Sequence, residues 1–173
     1  MGSAYTVRVP AGDNLLFYYA IDKASPGDVI IVDGGGFKER ALCGEIMVTL
    51  AKKRKLAGFV IDGAIRDQYE LMKLGFPVFA RGISPNGPYK NGPGEINVPV
   101  YIGGRVIHPG DIIVGDLDGV ISINPNEAET VLQNALLVMQ KEQAMLKDIE
   151  KNNHLDLEWM YKKLEFVGCE SIK

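Results

Sequence analysis

"PGDVIIVDGGGFKERALCGEIM", residues 26–47, decides how this chain folds. A Pro-Gly-Asp turn launches the unbroken apolar run Val29–Val32. Such a run is the mark of a central strand covered on both faces. It stops at Asp33 and at three glycines, Gly34–Gly36. From Glu39 to Lys55 the apolar residues recur at helical spacing, and the last turn is basic, which suits the negative end of a helix dipole. That spacing predicts a helix over 39–55. Gly44 sits inside it, at a cost in helix stability that calls for a reason.

The same grammar continues on both sides. "AGFVID" (57–62) reads as another buried strand, and "RDQYELMKLG" as a helix closed by Gly75 at its C-cap. "FPVFARGI" (76–83) reads as a fourth strand. Upstream, "YTVRV" (5–9) alternates as a half-buried strand does, and "LLFYYAIDKA" is a short helix with Asp13 or Asn14 as N-cap. Residues 85–94, "PNGPYKNGPG", hold too much proline and glycine for regular structure. From Asn97 to Ile123 the short runs "VPVYIG", "GRVIH", "DIIVGD" and "VISI" predict a β-meander. A long amphipathic helix runs from Asn126 to Lys151, and "LDLEWMYKKLEF" is a final one. The turn and strand of residues 26–33 return as "PGDIIVGD" at 109–116. The expectation is an α/β chain of mixed sheets with flanking helices. Residues 1–125 form its core, and 126–173 form C-terminal helices packed on that core or on a neighbouring subunit.

With 173 residues the chain suits one domain able to bury a core without metals or disulfides. Its net charge of −3 and pI near 5.4, with no basic block, offer no footprint for nucleic acid or anionic lipid. The two cysteines, Cys43 and Cys169, stand far apart in no metal-like spacing, which fits a reducing cytoplasm and free thiols. No apolar run approaches the ~18 residues of a membrane span. The expected chain is therefore cytoplasmic, with neither nucleic acid nor membrane as a partner.

Ligands of α/β sheets gather beyond the carboxyl ends of the strands. Two such ends carry chemistry here: "VDGGGFKERALCGEIM" and "VIDGAIRDQYE". Carried by neighbouring parallel strands, they would face one crevice. The glycine run lacks the Gly-Lys-Ser/Thr ending of a P-loop and the Gly-x-Gly-x-x-Gly spacing of a dinucleotide fingerprint. A small carboxylate is the simpler guest. Arg66 can hold one through two parallel hydrogen bonds, and Asp67 is a hard oxygen ligand of the kind Mg²⁺ or Mn²⁺ takes. On residue types alone Arg66 and Asp67 read more readily as a solvated surface pair than as a site. Asp62 reads as a loop cap or a ligand, and His108, in "HPGD", as a turn residue.

Taken together, "GSAYTVRVPAGDNL", "PGDVIIVDGGGFKERALCGEIM", "GFVIDGAIRD", "GFPVFARG", "GPGEINVPVYIGG" and "HPGDIIVGDLDGV" have the order and spacing of one family. Over residues 2–125 the chain resembles the RraA-like family of class II 4-hydroxy-4-methyl-2-oxoglutarate aldolases and regulators of ribonuclease E activity. Members carry a segment ahead of the "GSAYTV" strand, at which this chain begins. The resemblance implies a swivelling β/β/α fold and a homotrimeric or hexameric ring. It implies that backbone N–H groups of Gly44, Glu45, Ile46 and Met47 meet a 2-oxo acid. It further implies that Arg66 binds that acid and Asp67 holds a divalent cation, magnesium or manganese. The activity implied is retro-aldol cleavage to pyruvate, with oxaloacetate decarboxylation at the same site, Glu45 orienting a water. The other activity found in the family is that of a non-catalytic ring that binds and regulates another enzyme. The first needs Arg66; the second does not.

Overall fold

The computed structural model describes residues 1–169. They fall into a compact unit, Met1–Ala128, and a C-terminal unit beginning at Glu129. The first unit begins with β1 (Gly2–Arg8), α1 (Leu15–Lys23), β2 (Val29–Cys43), α2 (Glu45–Lys53), β3 (Gly58–Ile65), α3 (Gln68–Leu74) and β4 (Val78–Ile83). It continues through β5 (Glu95–Ile96), β6 (Val100–Ile102), β7 (Arg105–Ile107), β8 (Ile112–Gly115) and β9 (Val120–Ile123). The main sheet has seven strands in the order β4-β3-β2-β1-β8-β9, with β5 paired to β1. Neighbours among β1 to β4 are parallel, while β5, β8 and β9 pair antiparallel. The sheet is therefore mixed, as the alternation of helices followed by short strands predicts.

The predicted meander strands all form, but they do not stay together. β6 and β7 make a separate two-stranded sheet, while β8 and β9 extend the main one through β1. This division gives each face of the main sheet its own cover. On one face Phe17, Ala20 and Ile21 of α1, Met47, Val48 and Ala51 of α2, and Leu71 of α3 close over Ile30, Val32, Phe59 and Ile61. On the other, Val100 of β6 and Ile107 of β7 pack with Val29, Ile31, Val60 and Ile113. Alternate residues of β2 and β3 thus serve opposite cores, which is why their sequences are continuous apolar runs. All eight residues of β3 are buried.

One expected element is overturned. Residues 39–43 are strand, and the helix begins only at Glu45. From Asp33 to Cys43 the chain uses ten steps while its partner moves three, from Asp62 to Ile65. Gly35 and Gly36, at φ 66° and 71°, start this excursion in a conformation that favours glycine. Ala41 and Cys43 then rejoin the ladder against Ala64 and Ile65. Helical spacing in "ERALC" lost to the pairing offered by an already buried neighbour. Two local expectations hold: Gly75 caps α3 at φ 61°, and His108 and Asp111 close their turn through a 3.1 Å backbone bond.

The C-terminal unit holds α4 (Ala128–Asn152), entered by a single 3₁₀ turn whose Asn124 side chain accepts the Asn126 N–H, and α5 (Glu158–Phe166). No helix of the described residues is long and apolar enough to cross a membrane.

Phe59 sits at the centre of the helix-covered core, fully buried, with Phe17 and Phe76 edge-on at centroid distances of 4.9 and 5.0 Å. Phe59→Ala should destabilise the protein by about 3–5 kcal/mol, seen as a lower urea midpoint at unchanged slope. A loss below about 1 kcal/mol would show that this ring cluster does not anchor the core.

Candidate active site

The pairing of Cys43 with Ile65 at the end of the β2–β3 ladder builds the site. The next residues of each strand are Gly44 and Arg66, and the Arg66 N–H donates to the Cys43 carbonyl at 2.9 Å. Asp67 follows in the left-handed region at φ 57°, ψ 35°, a conformation aspartate tolerates. That turn sends its carboxylate back over the start of α2, where Oδ2 accepts the Glu45 N–H at 3.0 Å. Arg66 Nε lies 3.6 Å from the same oxygen.

Gly44 explains itself here. A β-carbon at this position would stand 2.5 Å from Asp67 Oδ2 and 2.9 Å from Arg66 Cγ. The glycine is the N-cap of α2, not a flaw inside a longer helix. Four of the expected residues therefore converge: Gly44, Glu45, Arg66 and Asp67. The Glu45 N–H is engaged by Asp67 and is not free for a ligand. Those of Ile46 and Met47 belong to the first turn, where a helix has no internal acceptor for them.

Beside this junction lies a small cleft of about 40 Å³ lined by Gly44, Ile46, Met47 and Arg66, and also by Asn14, Tyr18 and Lys90. Asn14 is buried; its amide donates to the Leu42 carbonyl at 2.9 Å and to the Met47 sulfur at 3.3 Å. Its oxygen accepts from Lys90 Nζ at 3.0 Å, which also stands 5.1 Å from the Tyr18 ring centre. Two cations thus face a cleft whose lining holds no carboxylate. In the sequence Asn14 reads as a helix N-cap, and Lys90 lies in an irregular stretch; at the head of α1 the Asn14 side chain makes no cap bond and turns to the cleft instead. One signal was available: Lys90 is the sole charged residue of 85–94.

That irregular stretch is held by Asp13. Its buried carboxylate accepts the Leu15 N–H at 2.9 Å and the N–H groups of Asn91 and Gly92. Burial pushes the Asp13 carboxyl up, but the three N–H bonds and the nearby Lys90 charge outweigh it, and the net shift is downward. Arg40 fixes the other side of the loop, donating to the Gly87 carbonyl at 2.7 Å and stacking on Tyr89. Cys43 is no nucleophile: burial pushes its thiol far up. Asp62 is the buried partner of Arg81, and His154 is exposed beside Asp148.

This is an α/β chain with an arginine–aspartate pair and a helix N-terminus converging beyond the carboxyl ends of parallel strands. It belongs to the RraA-like family, described as Aldolase/RraA, which matches residues 1–122. A relative from Halalkalibacterium halodurans, named "Putative 4-hydroxy-4-methyl-2-oxoglutarate aldolase", is 45% identical over 152 residues, 88% of this chain and 72% of that one. Among solved structures, the RNA-processing inhibitor RraA from Thermus thermophilis is 33% identical with a TM-score of 0.67, covering 70% of this chain and 74% of that one. RraAS2 of Streptomyces coelicolor, described as an unusual member of the RNase ES inhibitor RraA protein family, is 30% identical with a TM-score of 0.71 over 82% of this chain and 73% of that one.

The lowered Asp13 carboxyl makes a pH prediction. Its contribution to stability is complete above about pH 4 and is lost as pH falls through the depressed native value. Asp13→Asn would turn an amide NH₂ toward N–H donors of the loop. It should lower the melting temperature at pH 7 and flatten the fall in stability below pH 4. Equal slopes for the two proteins between pH 5 and pH 3 would show that Asp13 does not hold the loop.

Proposed function

We propose that this protein is a divalent-metal-dependent carbon–carbon lyase. It cleaves 4-hydroxy-2-oxo acids of the 4-hydroxy-4-methyl-2-oxoglutarate type to pyruvate by retro-aldol chemistry, and decarboxylates oxaloacetate at the same site. The observation that carries this reading is the Asp67 carboxylate, pinned beside Arg66 over the N-terminus of α2 in the space that Gly44 leaves open. The aldolase name of a 45% identical relative supports it.

The residues fit a hard cation. Asp67 Oδ2 is engaged by the protein, while Oδ1 has no hydrogen-bond partner among the described residues. No cluster of three metal-binding side chains exists among those residues. A single carboxylate, with water and substrate filling the remaining positions, is the habit of Mg²⁺. When bound at Asp67, Mg²⁺ or Mn²⁺ supplies Lewis-acid stabilisation of the charge that builds on the 2-oxo oxygen.

The chain's own groups do the rest. Arg66 takes the 2-oxo carboxylate through its planar fork and, permanently charged, also stabilises the enolate left by either reaction. The N–H groups of Ile46 and Met47 donate to the same anion. Lys90, held by Asn14, takes the second carboxylate of the substrate. The exposed Glu45 orients a water to receive the 4-hydroxyl proton. The working form is a cytoplasmic homotrimer or hexamer. Ile46, Tyr69 and Met72, 69–74% exposed around the site, supply apolar surface for such a ring.

A second reading is favoured by the likeness to the Thermus RNA-processing inhibitor: a non-catalytic ring that binds and regulates another enzyme. Pyruvate release separates the two. With 4-hydroxy-4-methyl-2-oxoglutarate or oxaloacetate and saturating Mg²⁺, the wild type should turn over, and EDTA should abolish turnover. Arg66→Ala should lower kcat/KM by about 100-fold. Lys90→Met should raise KM by about tenfold or more with kcat little changed. An intact ring that turns over neither substrate sinks the lyase reading and leaves the regulator.

A further inference from the structure

Four charged residues stand in a row across β1 to β4. Arg8 pairs with Asp33 in the β1–β2 ladder, and Asp33 pairs with Asp62 in the β2–β3 ladder. Arg81 of β4 ends the row, joined to Asp62 by an ion pair. Residues two apart on a strand share a face. Asp33 and Asp62 therefore lie on the side of Ile31 and Val60, the side covered by β6 and β7 and turned away from the helices. No residue that lines the Arg66–Lys90 cleft takes part.

Each carboxylate is held only from its outer side. Arg8 Nε stands 3.5 Å from Asp33 Oδ2, while the rest of that guanidinium goes to Glu95 at 2.5 Å and to the Pro99 carbonyl at 2.7 Å. Arg81 meets Asp62 through Nε and Oδ1 alone, where an arginine–carboxylate pair commonly closes both bonds of its fork. Asp62 Oδ2 and both Arg81 Nη groups have no hydrogen-bond partner among the described residues. Asp62 is 5% exposed, and buried polar groups are seldom left unpaired. Between the two carboxylates the one donor among the described residues is the Gly35 N–H, 3.2 Å from Asp33 Oδ1. Like charges side by side on neighbouring strands are destabilising.

The space they face is a cavity of about 460 Å³, within the range of small-molecule sites. Gly35 and Gly36 form part of its wall. A β-carbon on Gly35 would meet nothing within 4 Å, and one on Gly36 nothing nearer than Arg81 at 3.7 Å. Tyr101, from the β6–β7 hairpin, lines the cavity as well. These groups select the guest. A water would satisfy Asp62 Oδ2 but leave two negative charges facing each other. A bare divalent cation finds two carboxylates, each with a guanidinium beside it, and no cluster of three metal-binding side chains exists among the described residues. A lone anion suits Arg81 but is repelled by Asp33 and Asp62. A guest with both signs a few ångströms apart answers all three groups.

We propose that this cavity binds a free α-amino acid. The ammonium group lies between Asp33 and Asp62, the carboxylate takes the open Nη fork of Arg81, and the side chain lies against Tyr101. The site stands whether or not the chain is a lyase.

Thermal melting of the full chain with each standard L-α-amino acid tests this. At about 10 mM, at least one should raise the melting temperature by about 2 °C or more. The amine and the acid derived from it, each lacking one of the two charges, should raise it by less than half as much. Isothermal titration then reads the affinity. Asp33→Asn, which keeps the acceptor for Gly35, and Tyr101→Ala, at an exposed position, should each weaken binding by about tenfold with circular dichroism unchanged. Arg66→Ala should bind as the wild type does. No shift with any amino acid overturns the proposal, and so does an equal shift with the amine or the acid alone. Unchanged affinity in either cavity variant overturns it too, as does loss of binding in Arg66→Ala, which would put the guest in the other cleft.

Discussion

The Arg66–Asp67 wall of the site depends on one hydrogen bond, from the Glu45 N–H to the Asp67 carboxylate, made across 22 residues of sequence. It requires β2 and β3 to end in register, and it requires that Gly44 carry no side chain. It also requires Asp67 to turn back in a left-handed conformation that most side chains avoid. Each condition rests on the one before it. The two-sided core fixes the strands, the strands fix the loop ends, and the loop ends face a carboxylate toward a helix N-terminus, where negative charge is favoured.

The opposite wall has a different origin. The segment from Ser84 to Gly92 has no strand of its own, yet side chains hold it at both ends. Asp13 collects its later N–H groups. The Ala41 N–H donates to the Asn86 carbonyl at 2.9 Å, and the Ser84 hydroxyl donates to the Glu39 carbonyl at 2.8 Å. The excursion of β2 after the glycines is thus the platform on which the loop rests. Gly87 adds to the arrangement, since a β-carbon there would lie 3.4 Å from the Arg66 guanidinium.

How much of this could be read in advance depended on distance along the chain. Val29–Val32 and Phe59–Ile61 announce buried strands because burial on both faces leaves no room for polar residues. Gly75 announces a helix end because its left-handed conformation is a local demand. Residues 39–43 misled because "ERALC" spaces its apolar residues as a helix does, and only the neighbouring strand decides otherwise. Asn14 and Lys90 were invisible as a pair, since 76 residues separate them and neither type is diagnostic alone. Arg66 and Asp67 stood out through their place at a strand end and through resemblance, whereas the tie from Asp67 to Glu45 needed the fold.

Arg66 and Asp67 stand outside the packed layers, with side chains about 40% exposed, whereas every residue of β3 before them is buried. Exposed ion pairs add little to stability. Selection on foldedness therefore scarcely reaches the Arg66 side chain, and selection on chemistry scarcely reaches the core that carries it. A lineage can drift at the strand end, losing a reaction or gaining a binding role, without passing through an unfolded ancestor. One architecture can then stand behind relatives called aldolases and relatives called inhibitors of RNA processing.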